Sequence, residues 1–146
     1  MKIPTSLHKQ SGVMLLEALI AILIFSLGIL AIVGLQAASI KSAGDAKYRS
    51  DASLLANQLI GEMRVADRTT TTLQTNFSNP SGTDYTSWLT DVAAALPGAS
   101  ATQPTVTFTT DSTTSTPSSI ATITIYWQSP SESTAHQYVT VAQIEQ

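Results

Sequence analysis

The 146-residue chain contains no cysteine, an absence that removes disulfides, a lipid-modified anchor cysteine and thiolate metal sites together. It also leaves the redox compartment unread. Basic residues are informative by where they stop. All seven Lys and Arg lie at or before Arg68, and the 78 residues from Thr69 onward carry five acids and no basic side chain. Such a surface repels nucleic-acid phosphates, so nucleic acid is not an expected partner. There is no Gly-x-Ser-x-Gly elbow, no phosphate-binding glycine loop, no histidine pair at metal spacing and no EF-hand pattern. The expectation is a chain that is not an enzyme and carries no cofactor.

What is present begins with an apolar run. Residues 13–35 comprise 23 positions with one charge, Glu17. At about 1.5 Å per residue, a helix of this length spans roughly 35 Å, enough for a bilayer core of about 30 Å. A carboxylate costs on the order of 2.5–3.5 kcal/mol at the bilayer centre and less near an edge, so an intramembrane Glu points to a function with a cationic partner. Two plain readings of the run are a cleaved secretory signal, with Lys2 and Lys9 ahead of it, and a permanent anchor for an exported domain. The signal fits poorly, because the apolar segment exceeds the usual length of about 7–15 residues, carries Glu17 and continues unbroken into helix-forming sequence. Basic residues flank both ends, at Lys2, Lys9, Lys41, Lys47 and Arg49, so charge counting does not orient the run. Gly28 and Gly34, with Ala18, Ala21 and Ala31, suit close packing of neighbouring helices, though glycine is common in membrane helices on any account.

From Gln36 the pattern turns polar without a helix stop. Tyr48, Ala52, Leu55, Leu59, Met63 and Ala66 recur at spacings of three and four, one apolar stripe, with Lys47, Arg49, Asp51, Asn57, Gln58, Glu62 and Arg64 mostly off it. This predicts one helix from Val13 to about Asp67, ended by the β-branched run Thr69-Thr70-Thr71-Thr72. Its polar half cannot stand alone, so the remainder of the chain should cover the stripe.

Turn signals follow at Asn79-Pro80-Ser81-Gly82 and Leu96-Pro97-Gly98. Between them, Trp88, Leu89, Val92, Ala93 and Leu96 predict a short amphipathic helix. The period then changes to two. Val106 and Phe108 alternate with threonines, Ile123, Ile125 and Trp127 alternate with Thr122, Thr124 and Tyr126, and Val139 and Val141 share one face of a strand near 137–143. Ser129-Pro130-Ser131-Glu132-Ser133 is a hairpin connection, and residues 109–119 read as a mobile loop. Three or four strands make one antiparallel sheet, whose apolar face meets the helix stripe in a two-layer core, an α+β arrangement.

Few residues suggest chemistry. His136 is the single histidine beyond the first twelve residues, and its plainest reading is a solvated surface side chain. Asp84, Asp91, Asp111 and Glu132 become a cation site only if the fold gathers them. Trp88 and Trp127 suit the core better than a partner surface. Asn76-Phe77-Ser78 matches a glycosylation sequon, a pattern frequent by chance.

Gly12-Val13-Met14-Leu15-Leu16-Glu17 ahead of a long apolar helix resembles the class III leader of type IV pilins and pseudopilins. The resemblance implies cleavage between Gly12 and Val13 by a membrane prepilin peptidase, N-methylation of Val13, and Glu17 as the carboxylate that meets the amino terminus of a neighbouring subunit during assembly. It also implies the pilin fold and an orientation with the N-terminus cytoplasmic and the head periplasmic. A narrower set, Gly28-Ile29-Leu30, Gly34-Leu35-Gln36, Tyr48-Arg49-Ser50-Asp51-Ala52 and Leu55 through Arg64, resembles the minor pilins called PilV, as do Trp88 and Leu96-Pro97-Gly98. The likeness covers about the first 65 residues well and the head loosely. Val13 departs from the phenylalanine common at the first mature position, and Gln10-Ser11 from a basic residue before the glycine. The head lacks the cysteine pair, and the helix the proline, of many major pilins.

The implied organisation is a leader at 1–12, a membrane and assembly helix at 13–35, the amphipathic half of the same helix at 36–67 and a head at 68–146. Removing Lys2 and Lys9 takes the formal charge from -3 to about -5. The expected role is a minor pilin that primes assembly or sits at the tip of a type IV pilus, serving adhesion or motility. Implied partners are the prepilin peptidase, other minor pilins, the major pilin and a tip adhesin, first in a bacterial inner membrane and then in the fibre. The alternatives are a minor pseudopilin of a type II secretion system and a membrane-tethered adhesin that never polymerises.

Overall fold

The computed structural model describes residues 11–111, 118–130 and 132–145. The expected leader therefore lies, for residues 1–10, outside the described residues. Helix α1 runs unbroken over Ser11–Val65. No proline falls between Pro4 and Pro80, so nothing in the helix removes a backbone donor or wedges against the preceding turn. A boundary between Ser42 and Ala43 divides the chain into two units.

In the first unit, every described side chain from Gly12 to Ser42 is exposed. This part of α1 is long and apolar enough to cross a membrane.

The second unit holds the core. Ala52, Leu55, Ala56, Leu59, Ile60 and Met63 of α1 are buried, at spacings of one, three and four residues that give a stripe wide enough to face several partners. Tyr48 and Ala66 pack against it at the ends. Opposite them stand two short helices, α2 over Thr70–Phe77 and α3 over Thr83–Ala95. Tyr85, Trp88 and Val92 turn one face of α3 inward, and Leu96 follows them into the core. The indole N–H of Trp88 donates to the Leu55 carbonyl at 2.9 Å, using the second lone pair of an oxygen already inside the helix ladder.

The long helix ends before the threonine run, as its β-branched residues suggest, and that run opens a second helix, α2, which the spacing does not announce. Asp67 Oδ1 accepts from the Thr69 backbone N–H at 3.1 Å, and Thr69 Oγ1 donates to Thr72 Oγ1 at 2.9 Å. Leu73 and Phe77, four residues apart, are both buried. Burial of that pair outweighs the modest helix penalty of threonine, a few tenths of a kcal/mol per residue.

Strands β1 (Thr105–Asp111), β2 (Ser118–Trp127) and β3 (His136–Glu145) form one antiparallel sheet in the order β1-β2-β3. The loop expected over 109–119 is narrowed from both sides, and residues 112–117 lie outside the described residues. Central β2 places Ala121, Ile123, Ile125 and Trp127 in the core, joined by Val106 from β1 and by Ala142 and Ile144 from β3. Val139 and Val141 do share a face, but it is the outer one: they pair with Thr124 and Thr122 and are exposed. Their register follows from the pairing of Ile123 with Thr140 and of Ala121 with Ala142, which puts odd-numbered residues of β3 outward.

Two close approaches hold the layers in place. Gly98, at φ +77°, lies against Gln128, whose N–H donates to the Pro97 carbonyl at 2.8 Å. Gly82 passes so near the Asn76 carbonyl that a Cβ there would stand 2.3 Å from its oxygen.

Candidate functional site

The residues singled out for processing and assembly lie on the first two turns of α1. Gly12 opens onto free space, and Val13 is 62% exposed. Glu17 is four residues further on, so its carboxylate shares a helix face with the position at which a new amino terminus would form. It is exposed, and no ion pair or hydrogen bond joins it to another described residue. Within a bilayer, that carboxylate calls for an external cation. The other polar side chain in the run is internally satisfied, because Ser26 Oγ donates to the Ile22 carbonyl at 2.7 Å.

Gly28 and Gly34 have no atom within 4 Å of where a Cβ would sit. Six residues apart, they point roughly 120° away from each other around the axis. They therefore offer close approach to two different neighbours rather than to one. Tyr48, Ala52, Leu55, Leu59 and Met63 serve a different purpose. They are taken up by the core of their own head, with Tyr48 at its edge.

In the second unit, one group of side chains comes together that the sequence does not announce. Asp45 on α1, Glu132 in the β2–β3 connection and His136 at the start of β3 place ligand-type atoms within 4.8 Å of one another, each partly buried. His136 Nε2 and a Glu132 carboxylate oxygen are in direct hydrogen-bond contact. Ser129 Oγ donates to Asp45 Oδ1 at 3.0 Å, and Gln128 Nε2 donates to the Glu132 carbonyl at 2.8 Å. The imidazole stacks on Trp127, with ring centres 5.6 Å apart and planes 16° from parallel. His136 is thus a surface side chain, 40% exposed, that is also held by its neighbours. Asp84 and Asp91 lie on α3 and do not join Glu132, and the Asp111 side chain lies outside the described residues.

Trp88 and Trp127 are both buried, as their apolar settings suggest. Tyr85 is buried beside Trp88 and donates to the Pro104 carbonyl at 2.8 Å; loss of solvent around its ring raises its pKa above the usual 10. Asp45 carries no local signal that would have marked it, since its partner Ser129 is 84 residues away. Comparison of the chain with protein-family models, with curated proteins and with solved structures finds no match, so its role is argued from its own residues.

Proposed function

We propose that the chain is a minor pilin of a type IV pilus, made as a prepilin, cut between Gly12 and Val13 and methylated at Val13. The carrying observation is the sequence Gly12-Val13-Met14-Leu15-Leu16-Glu17 at the head of an apolar helix whose described side chains are exposed to Ser42. Such a surface requires a bilayer or other helices around it, and a pilin passes from the first to the second. A head of one helix stripe, two short helices and a three-stranded antiparallel sheet agrees with the pilin layout.

In the membrane, Glu17 is tolerable near the edge of the hydrocarbon. In a fibre it pairs with the methylated amino terminus of an adjacent subunit. A buried ion is stable when paired, and removing one partner costs about 3–5 kcal/mol. Gly28 and Gly34 admit two neighbouring helices closely enough for the bundle to exclude lipid. The head stays outside, where it contacts other minor pilins at the base or tip.

Three measurements test this. Mass spectrometry of the mature chain should find N-methyl-Val13 at its terminus, whereas an intact Met1 would make it a tethered domain. Glu17→Ala should be processed and inserted normally yet be absent from sheared fibres; normal incorporation would remove Glu17 from the assembly role. Loss of surface fibres with secretion unaffected in a deletion strain separates a pilus subunit from a secretion pseudopilin.

A further inference from the structure

We infer that Asp45, Glu132 and His136 form a site for a divalent transition-metal ion of the Zn2+ class. The ion would tie the Asp45 turn of α1 to the β2–β3 connection and the first residue of β3. The site is separate from the processing and assembly residues and does not depend on the fibre reading.

The donor set is the first argument. One imidazole and two carboxylates neutralise a doubly charged ion, and the nitrogen donor favours Zn2+ over Ca2+ or Mg2+, which take oxygen ligands and more of them. Geometry is the second. Ligand atoms about 2.0–2.1 Å from a tetrahedral Zn2+ lie roughly 3.3–3.5 Å from each other. The three side chains already fall within 4.8 Å, a gap that small side-chain rotations close.

The third argument is the support around the ligands, supplied by residues that do not themselves ligate. Ser129 Oγ holds one oxygen of Asp45, Trp127 fixes the plane of the imidazole, and Gln128 braces the Glu132 backbone. Metal sites depend on this kind of orientation by outer partners.

The consequence is mechanical. Asp45 and Ser129 are 84 residues apart, and a metal bridge closes that loop beside the hydrogen bond between them.

The test uses the full, untagged chain in detergent, with His8→Ala as background to remove the other histidine. Zn2+ should bind with one-to-one stoichiometry by calorimetry and raise the melting temperature, while Ca2+ at the same concentration should not. Co2+ should give a visible d–d absorption band at one equivalent. His136→Gln and Asp45→Asn should each abolish the band and weaken Zn2+ binding by more than the roughly 10–100-fold expected of losing an outer partner, which is the range for Ser129→Ala. Asp91→Asn, an exposed acid on α3, is the control and should change nothing. Asp45→Asn is nearly isosteric, and its unperturbed circular dichroism would show that the fold survives. Zn2+ binding that persists in both ligand variants, stabilisation by Ca2+ instead, or no binding at all would overturn the site and leave His136 and Glu132 as an ordinary hydrogen-bonded pair.

Discussion

Residues 13–35 and 43–65 belong to one helix and behave as two materials. In the first stretch nearly every side chain is apolar and all are exposed; in the second, one stripe is buried and the rest is mostly polar, with Leu54 and Val65 the large apolar exceptions. Backbone hydrogen bonding is the same in both. The difference lies in how apolar residues are distributed around the axis. A helix apolar on all sides needs an apolar surrounding, supplied by lipid or by other helices, whereas a helix with a stripe needs one covering layer, which this chain carries itself. The two small-residue sets divide the same way: Gly28 and Gly34 face open space, while Ala52 and Ala56 are fully buried where α1 meets the head layers.

The sharpest way to break this comparison is to make one substitution in both halves. Leu59→Ala removes a fully buried side chain from the head core and should cost about 2–5 kcal/mol. Leu23→Ala removes one that is 59% exposed and should leave unfolding of the head within roughly 0.5 kcal/mol of the parent. Near-ultraviolet circular dichroism during denaturation in detergent reports the head through Trp88 and Trp127. Equal losses would mean that the two halves are not energetically distinct.

A smaller contrast comes from glycine. Gly82→Ala drives a Cβ against the Asn76 backbone and should destabilise the head by about 1–3 kcal/mol, whereas Gly28→Ala meets open space and should leave its melting unchanged. The readout that should move for Gly28→Ala is association with other subunits in the membrane.

The smallest effect concerns Tyr85. Its folded pKa lies above the usual 10 because burial disfavours the phenolate, so the native state holds that proton more tightly than the unfolded chain. The resulting stability is complete below pH 10 and is lost as pH rises through that value toward the folded pKa. Tyr85→Phe should lower stability at neutral pH by about 1 kcal/mol through loss of the bond to Pro104. It should also flatten the alkaline decline. An unchanged decline in Tyr85→Phe would assign that titration to another group.

Much of this architecture is legible in local patterns. The change from an all-apolar run to a stripe, the spacing of Trp88 and Val92, and the alternation of Ile123, Ile125 and Trp127 each occupy a short window and appear in the fold as α1, α3 and β2. The helix that begins at Thr70 has no such local signal, because the burial of Leu73 and Phe77 that outweighs threonine propensity is supplied by tertiary packing. Apolar character also misleads at Val139 and Val141, where strand pairing selects Ala142 and Ile144 for the core.

The sequence by itself determined the apolar helix, its lone carboxylate at Glu17 beside Gly12 and Val13, and the stripe from Tyr48 to Met63, because these depend on spacing along one element. Only the tertiary structure decided which face of the sheet is inward, that the threonine run is helical, and that Asp45 meets Glu132 and His136. Those outcomes depend on register and packing between segments up to 84 residues or more apart, and no short window of sequence contains both partners.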